Sequence, residues 1–425
     1  MAASAKTVLL VAFHFPPQSG SSGIQRTLRF AEHLPRFGWH PVILTVNPWS
    51  YESKSELMGK EAPEGVPIYR AFGLDAARHL SVFGRYLRAL AVPDRWASWR
   101  LRAVPMALKI IKRHRINVIW STFPIATAHW IGLHVSRRSG SPWVAEFRDP
   151  MWQGDYPGDP AVNRSWLMLE QQVFREAKAV VFTTPGAAAL YRERYPDFDS
   201  ANIRVIENGY DERSFQRAEA GIGAAGIERT AAPVTLLHSG LIYLTERDPT
   251  QLFAAIAALK AKGVVDAGRL RIVMRASGND QVLGRHIATL GIDDIVHLRP
   301  AIDYVSALRE MMNVDGLLIL QASNCNAQIP AKIYEYFRAR RPILALTDPR
   351  GDTARTLETA CTGLVAPLNS QTAIEAAISR FLTEIKDNTW KRVSDADVLR
   401  YSREAQTSTF AELLDSLCSS VVSGR

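Results

Sequence analysis

IPAKIYEYFRARRPIL, residues 329–344, joins Pro330 to a helix that carries Lys332 and Glu335, and then runs directly into a buried strand. Helix followed by apolar strand is the unit from which parallel sheets are wound. The same alternation extends outward in both directions. Strands are expected at 342–346 and 363–366 downstream, and at 315–320, 295–298, 270–274 and 234–238 upstream, with helices between them. The alternation stops at AEAGIGAAGIERTAA, residues 218–232, and continues on its N-terminal side with strands at 203–206, 179–183, 142–147, 117–121, 66–72, 40–46 and 7–13. A helix over 24–37 places Ile24, Leu28, Ala31 and Leu34 at helical spacing, with Gly38 as its C-cap.

The chain of 425 residues is long enough for two α/β cores of about 200 residues each. The expected division is an N-terminal domain over 1–217, a linker over 218–232, a second domain over 233–394 and a helical segment over 395–425. The face of Phe410, Leu413, Leu414 and Leu417 in that last segment needs a partner, and the N-terminal domain is the expected one. Open parallel sheets bind ligands beyond the carboxyl ends of their strands, so two such domains imply a cleft.

Composition narrows the function classes. Apolar residues make up 47% and charged residues 22%, which is globular composition. Cys325, Cys361 and Cys418 are odd in number and lack metal-ligand spacing, which argues against a disulfide framework or zinc site and for a cytoplasmic location. The apolar run at 8–13 meets His14, Pro16 and Pro17 too soon for a signal peptide, and no stretch is long enough to span a bilayer. A net charge of +9 asks for an acidic partner, but no zinc-finger, RNP-like or helix-turn-helix signal supports sequence-specific nucleic-acid binding.

Several stretches can carry chemistry. In FHFPPQSGSSGIQR, residues 13–26, Gly20 and Gly23 let a ligand approach the backbone between a strand and a helix N-terminus. The spacing is neither GxGxxG nor a P-loop, so an ordinary βα loop stands beside the anion-site reading. A second glycine turn at His238, Ser239 and Gly240 is followed by Arg247, which can pair with a diphosphate or be a solvated arginine. Asp149 ends a strand, where functional residues collect, although its neighbour Arg148 offers it a structural role. Asp197-Phe198-Asp199 spells a DxD but sits in a polar turn after Tyr195-Pro196, so no metal site is expected. Residues 76–115 hold ten lysines and arginines against Asp94 alone, interleaved with Phe83, Tyr86, Trp96 and Trp99. That run suits an anionic membrane surface, with solvated helix faces over an aromatic core as the plain alternative.

Residues 329–344 closely resemble the donor-binding helix of glycosyltransferase family 4. The resemblance extends to the opening loop and helix at 16–38, PDRWASW at 93–99, VIWSTF at 118–123, WVAEFRDPMW at 143–152, VIENGYD at 205–211 and LHSGLIYLTERDP at 237–249. It implies a GT-B fold, α/β with two Rossmann-like doubly wound domains facing across a cleft, and a retaining, metal-independent transferase. The donor is a nucleotide-diphosphate sugar, UDP-linked rather than GDP-linked, and the acceptor a glycan, a lipid-linked intermediate or a small molecule. No cofactor is implied beyond that co-substrate, and the location is cytoplasmic, peripheral at the membrane.

By the same resemblance Glu335 accepts hydrogen bonds from the ribose hydroxyls, and Gly20, Gly23, Gly240, Arg247, Pro330 and Lys332 line the donor. His129, on the helix after the strand ending at Ser121, is the implied catalytic histidine, with Arg247 and Asp149 as further catalytic candidates. Two departures stand out: Ala327 replaces a common glutamate eight residues before Glu335, and Leu241 replaces a common arginine after the glycine turn. Gln328 can supply a neutral contact near the sugar. These departures keep two alternatives open, a non-catalytic GT-B binding protein and a GT-B sugar-nucleotide epimerase.

Overall fold

The computed structural model describes residues 6–19, 23–220 and 233–422. Gly20 and positions 221–232 of the expected linker lie outside the described residues.

The chain divides into two compact units, one of residues 1–208 with 403–425 and the other of residues 209–402. In the first, β1 (Lys6–Val11), β2 (Trp39–Val46), β3 (Ile68–Ala71), β4 (Val118–Thr122), β5 (Trp143–Phe147), β6 (Ala179–Phe182) and β7 (Ile203–Val205) form one sheet in the order β3-β2-β1-β4-β5-β6-β7. In the second, β8 (Val234–Ser239), β9 (Leu270–Arg275), β10 (Val296–Arg299), β11 (Gly316–Leu320), β12 (Ile343–Leu346) and β13 (Leu364–Ala366) are ordered β10-β9-β8-β11-β12-β13. Every pairing is parallel. Helices cover both faces of such sheets, which is why the central strands read as continuous apolar runs. Each expected strand is present, its ends shifted by at most two residues.

The first long helix is shorter than its spacing predicts. It spans Gly23–His33 and gives way to a 3₁₀ turn over Leu34–Phe37. Pro35 has no N–H to continue the α-helical ladder, so the chain tightens there. Gly38, at φ 78°, then closes the turn by donating its N–H to Leu34 and Pro35 carbonyls.

The C-terminal helix Arg403–Val422 belongs to the first unit. Its buried Phe410 stacks on Phe30 at 4.6 Å between ring centroids, and Leu413, Leu414 and Leu417 join the same core as Trp39 and Trp120. Polar pins flank that face: Trp39 Nε1 donates to Asp415 at 2.9 Å and Arg36 pairs with Glu404 at 2.6 Å. Truncating a buried aromatic such as Phe410 to alanine costs about 3–5 kcal/mol, so this helix is a structural part of the first unit.

Candidate functional site

In the second unit the strand order reverses between β8 and β11, and the loops leaving those two strands carry the donor candidates. Gly240 follows β8 at φ 114°, and a Cβ there would sit 3.4 Å from the Lys332 ammonium. Lys332, half-buried, opens the helix Lys332–Ala339 and donates to Nε2 of the fully buried His238 at 3.1 Å. An ammonium can only donate, so this imidazole nitrogen accepts and the ring is neutral. Burial first, then the neighbouring Lys332 and Arg247 charges, holds His238 well below its ordinary pKa.

Lys332 itself is pushed down to about 7 by burial and by Arg247, with Glu335 pulling the other way. Arg247 donates from Nη1 to the Leu241 carbonyl at 2.7 Å and lies 5.2 Å from the centroid of the Tyr243 ring. Among the described residues no carboxylate pairs with Arg247. Two cations thus crowd one glycine turn, an arrangement suited to a diphosphate. Leu241, where an arginine was missed, is 46% exposed, and Lys332 supplies the positive charge beside Gly240 instead.

Glu335, on the same helix as Lys332, accepts from the Tyr304 hydroxyl at 2.7 Å. Tyr304 begins the helix Tyr304–Asn313 after β10, and a tyrosine 31 residues away gave no local signal. The loop before the helix is pinned by Gln321, whose Nε2 donates to the carbonyls of Cys325 and Gln328 at 2.9 Å each. The Gln328 side chain has no protein partner among the described residues, whereas its carbonyl is used by Gln321 and Thr353. Pro330 accepts from the Ile333 N–H at 3.0 Å and leads into the helix. A cavity of about 550 Å³ lined by Asp248, Gln321, Asp348 and Arg350 includes none of Gly240, Lys332 and Glu335, so the charge cluster and the cavity are separate features.

The first unit has its own reversal point, between β1 and β4. Gly23 begins the helix there, and the Arg148 guanidinium packs so closely on it that any Cβ would collide. Beneath runs a buried ion pair that sequence reasoning missed: Arg26 Nε donates to Glu146 at 2.9 Å, and its other nitrogens donate to the Glu207 and Ile206 carbonyls at 2.8 Å. Thr122 occupies the second Glu146 oxygen at 2.9 Å. Asp149 is solvent-exposed at the surface of the loop after β5, although neighbouring protein crowds its carboxyl and raises its pKa against the pull of Arg148.

His129 is the one candidate whose position opposes the role implied for it. It has no solvent exposure, donates to or accepts from Ser121 Oγ at 2.8 Å through Nδ1, and is packed among Phe123, Trp143 and Phe147. Its Nε2 meets no hydrogen-bonding partner. Burial pushes its pKa down to about 3. Such a ring is a core residue, since a substrate cannot reach it without moving the aromatic cluster.

The DxD acids make a turn. Asp199 caps the short segment Ser200–Asn202 by accepting from the Ala201 N–H at 2.9 Å and from Asn202 Nδ2 at 3.0 Å. Among the described residues no group of three or more His, Cys, Asp or Glu side chains is arranged to hold a metal ion.

In the basic run, residues 82–90 are all exposed and include Val82, Phe83, Tyr86, Leu87 and Leu90, with Phe83 wholly in solvent. Trp99 is in the core and Trp96 packs against it, so the run divides into an aromatic foundation and an apolar, arginine-bearing surface. Asp94, its lone acid, is spent internally on the Thr127 N–H and hydroxyl and the Trp96 N–H.

Comparison with known proteins adds family and fold. The sequence model of the glycosyl transferase 4-like domain matches residues 22–209. No curated protein matches the chain by sequence. Among solved structures, sucrose-phosphate synthase from Thermosynechococcus elongatus is similar with a TM-score of 0.65 at 16% identity, covering 98% of this chain and 100% of that one. A glycosyltransferase from Rickettsia africae ESF-5 has a TM-score of 0.63 at 15% identity over 97% and 99% of the two chains. Anabaena Alr3699/HepE, solved in complex with UDP, has a TM-score of 0.58 at 12% identity over 98% of each. Residues 22–209 thus match the glycosyl transferase 4-like domain, and the two parallel sheets of the chain share the GT-B fold of these structures.

Proposed function

We propose that the protein is a retaining, metal-independent glycosyltransferase that takes a sugar from a nucleotide-diphosphate donor, UDP-linked in preference to GDP-linked. The observation that carries the donor assignment is the convergence of Lys332, Arg247 and Gly240 at the second reversal point, with Glu335 on the same helix as Lys332. The bond between the anomeric carbon and the diphosphate breaks with its electron pair going to the phosphate oxygen. Lys332 and Arg247 stabilise that growing charge, the role a metal plays elsewhere. The acceptor hydroxyl forms the new bond to the anomeric carbon and passes its proton to the departing diphosphate. Glu335 receives the ribose hydroxyls, and Gln328 offers an unpaired amide to the sugar. HepE, with the same fold, was solved with UDP, which supports the choice of base.

The acceptor is a glycan, lipid-linked or small-molecule hydroxyl, and the exposed surface at 82–90 favours work at an anionic membrane. Apolar tips flanked by Arg85 and Arg88 suit an interface where the first enter the headgroup boundary and the second meet lipid charge.

Thermal melting with UDP and with GDP tests the donor assignment. A nucleotide at a hundred times its dissociation constant stabilises by about 2.7 kcal/mol, so a raised melting temperature with UDP and slow hydrolysis of a UDP-sugar without acceptor are expected. A chain that neither shifts with nucleoside diphosphates nor hydrolyses any donor is a binding protein on this fold.

A further inference from the structure

The cavity of about 550 Å³ in the second unit opens at the carboxyl ends of three adjacent strands. Among its lining residues Gln321 directly follows β11, Pro367 directly follows β13 and Asp348 stands just past the end of β12. Open parallel sheets hold ligands at these ends, and the volume is that of a small-molecule site. Asp248 and Gln251, at the start of the helix Thr250–Ala261, complete the wall.

Part of this lining is closed on itself. The buried Gln321 donates from Nε2 to the Cys325 and Gln328 carbonyls and accepts at Oε1 from the Thr347 hydroxyl at 3.3 Å. Arg350 donates from Nε and Nη2 to Asp348 at 3.3 Å each, so this cation faces its own counter-charge. The remaining polar groups are open. Asp248 accepts the Thr250 N–H at 2.9 Å and its hydroxyl at 2.6 Å, both on Oδ1. Among the described residues nothing pairs with its Oδ2, and the side chains of Gln251, Ser323 and Asn369 have no hydrogen-bonding partner.

An anion needs donors and a cation needs acceptors, whereas two amides and a hydroxyl offer both together. Sugar hydroxyls likewise donate and accept, and a carboxylate oxygen receives them with a charge-assisted bond. Ala322, Pro349, Pro367 and Leu368 add apolar surface for the C–H face of a sugar ring. We propose that this cavity is a carbohydrate subsite that holds a neutral sugar unit of the acceptor glycan, separate from the sugar of the donor. The word acceptor rests on the glycosyltransferase reading, but the sugar site stands on the lining alone. Asp248 directly follows Arg247, so the subsite and the assigned diphosphate site share one loop.

The test uses the full chain and ligand-observed NMR. Glucose, galactose, mannose, maltose and lactose, with inorganic phosphate as the charged control, are titrated into wild type, Gln251→Ala, Asn369→Ala and the double variant, after melting curves show all four folded. At least one sugar should bind wild type and weaken about fivefold in each single variant, the loss of one neutral hydrogen bond, and further in the double variant. UDP affinity, measured separately, should be the same in all four, and excess UDP-glucose should leave the sugar bound. Failure of every sugar to bind wild type, or equal binding to the double variant, overturns the proposal. Displacement of the sugar by UDP-glucose also overturns it, because the cavity would then serve the donor's own sugar. Phosphate binding that is lost in the double variant would make the cavity an anion site and overturns it too. If UDP binds none of the proteins while the sugar effect persists, the carbohydrate site holds and the donor assignment at Lys332 falls.

Discussion

Lys332 donates its ammonium to Nε2 of His238 across 3.1 Å, and this neutral acceptor takes the place where an acid would ordinarily neutralise a half-buried lysine. The lysine therefore waits for an anion with its pKa pushed down to about 7. Below that pH it is charged in the free protein, and above it the charge is lost. Diphosphate affinity should consequently fall as pH rises from 7 to 9, and binding at pH 8 should take up protons. Calorimetry in two buffers of different ionisation enthalpy reads both effects, and Lys332→Gln should flatten them. Equal affinity across that range with no proton uptake would remove Lys332 from the donor site.

Glu335 and Arg247 act at different moments. Glu335 holds the ribose alike in ground and transition states, so Glu335→Ala should mainly raise the donor KM. Tyr304→Phe, which removes the 2.7 Å hydrogen bond to Glu335, should do the same more weakly. Arg247 meets charge that grows during departure, so Arg247→Ala should lower kcat by about 2–4 kcal/mol of barrier. Steady-state kinetics with donor varied separates these cases, and a wild-type turnover rate in Arg247→Ala would place the phosphate elsewhere.

Transfer should persist in excess chelator, because Lys332 and Arg247 are assigned the diphosphate charge and Asp199 is occupied as a turn cap. Activity lost to chelation and restored by manganese or magnesium would reverse that assignment.

Acid should destabilise the fold through its buried histidines. His129 stays neutral down to about pH 3 and His238 well below 6.5, whereas both rings take up protons below about 6.5 once unfolded. The unfolded state then binds more protons, so stability is lost as pH falls from 6.5 toward 3. His129 contributes about 1.4 kcal/mol per pH unit in that window, and His238 acts in the same direction. Denaturant unfolding at pH 7, 6 and 5 should show the slope, and His129→Phe should make it shallower by one proton. An unchanged slope in that variant would mean that His129 does protonate in the folded chain.

Membrane docking should depend on Phe83. It is wholly exposed, so Phe83→Ser should leave the melting temperature unchanged while weakening sedimentation with anionic vesicles several-fold. Salt should weaken the wild-type association by screening Arg85 and its neighbours. Equal sedimentation of the two proteins, or none at low salt, would assign this surface to another partner.

The amino-acid sequence by itself determined the two parallel sheets, because alternation of apolar strands with helices is a local pattern written in every thirty residues. It also determined the face of Phe410 and Leu414 that needs a partner, and marked Glu335, Lys332 and Arg247 through a resemblance carried by contiguous motifs. Only tertiary structure decided which charges are compensated. Whether Lys332 meets a neutral histidine 94 residues away and whether His129 faces solvent or an aromatic core both depend on distances between elements remote in sequence. Periodicity reports which face of an element is buried, whereas a charge depends on what fills the few ångströms around it, and that is set only when separate loops converge at the reversal points of the sheets.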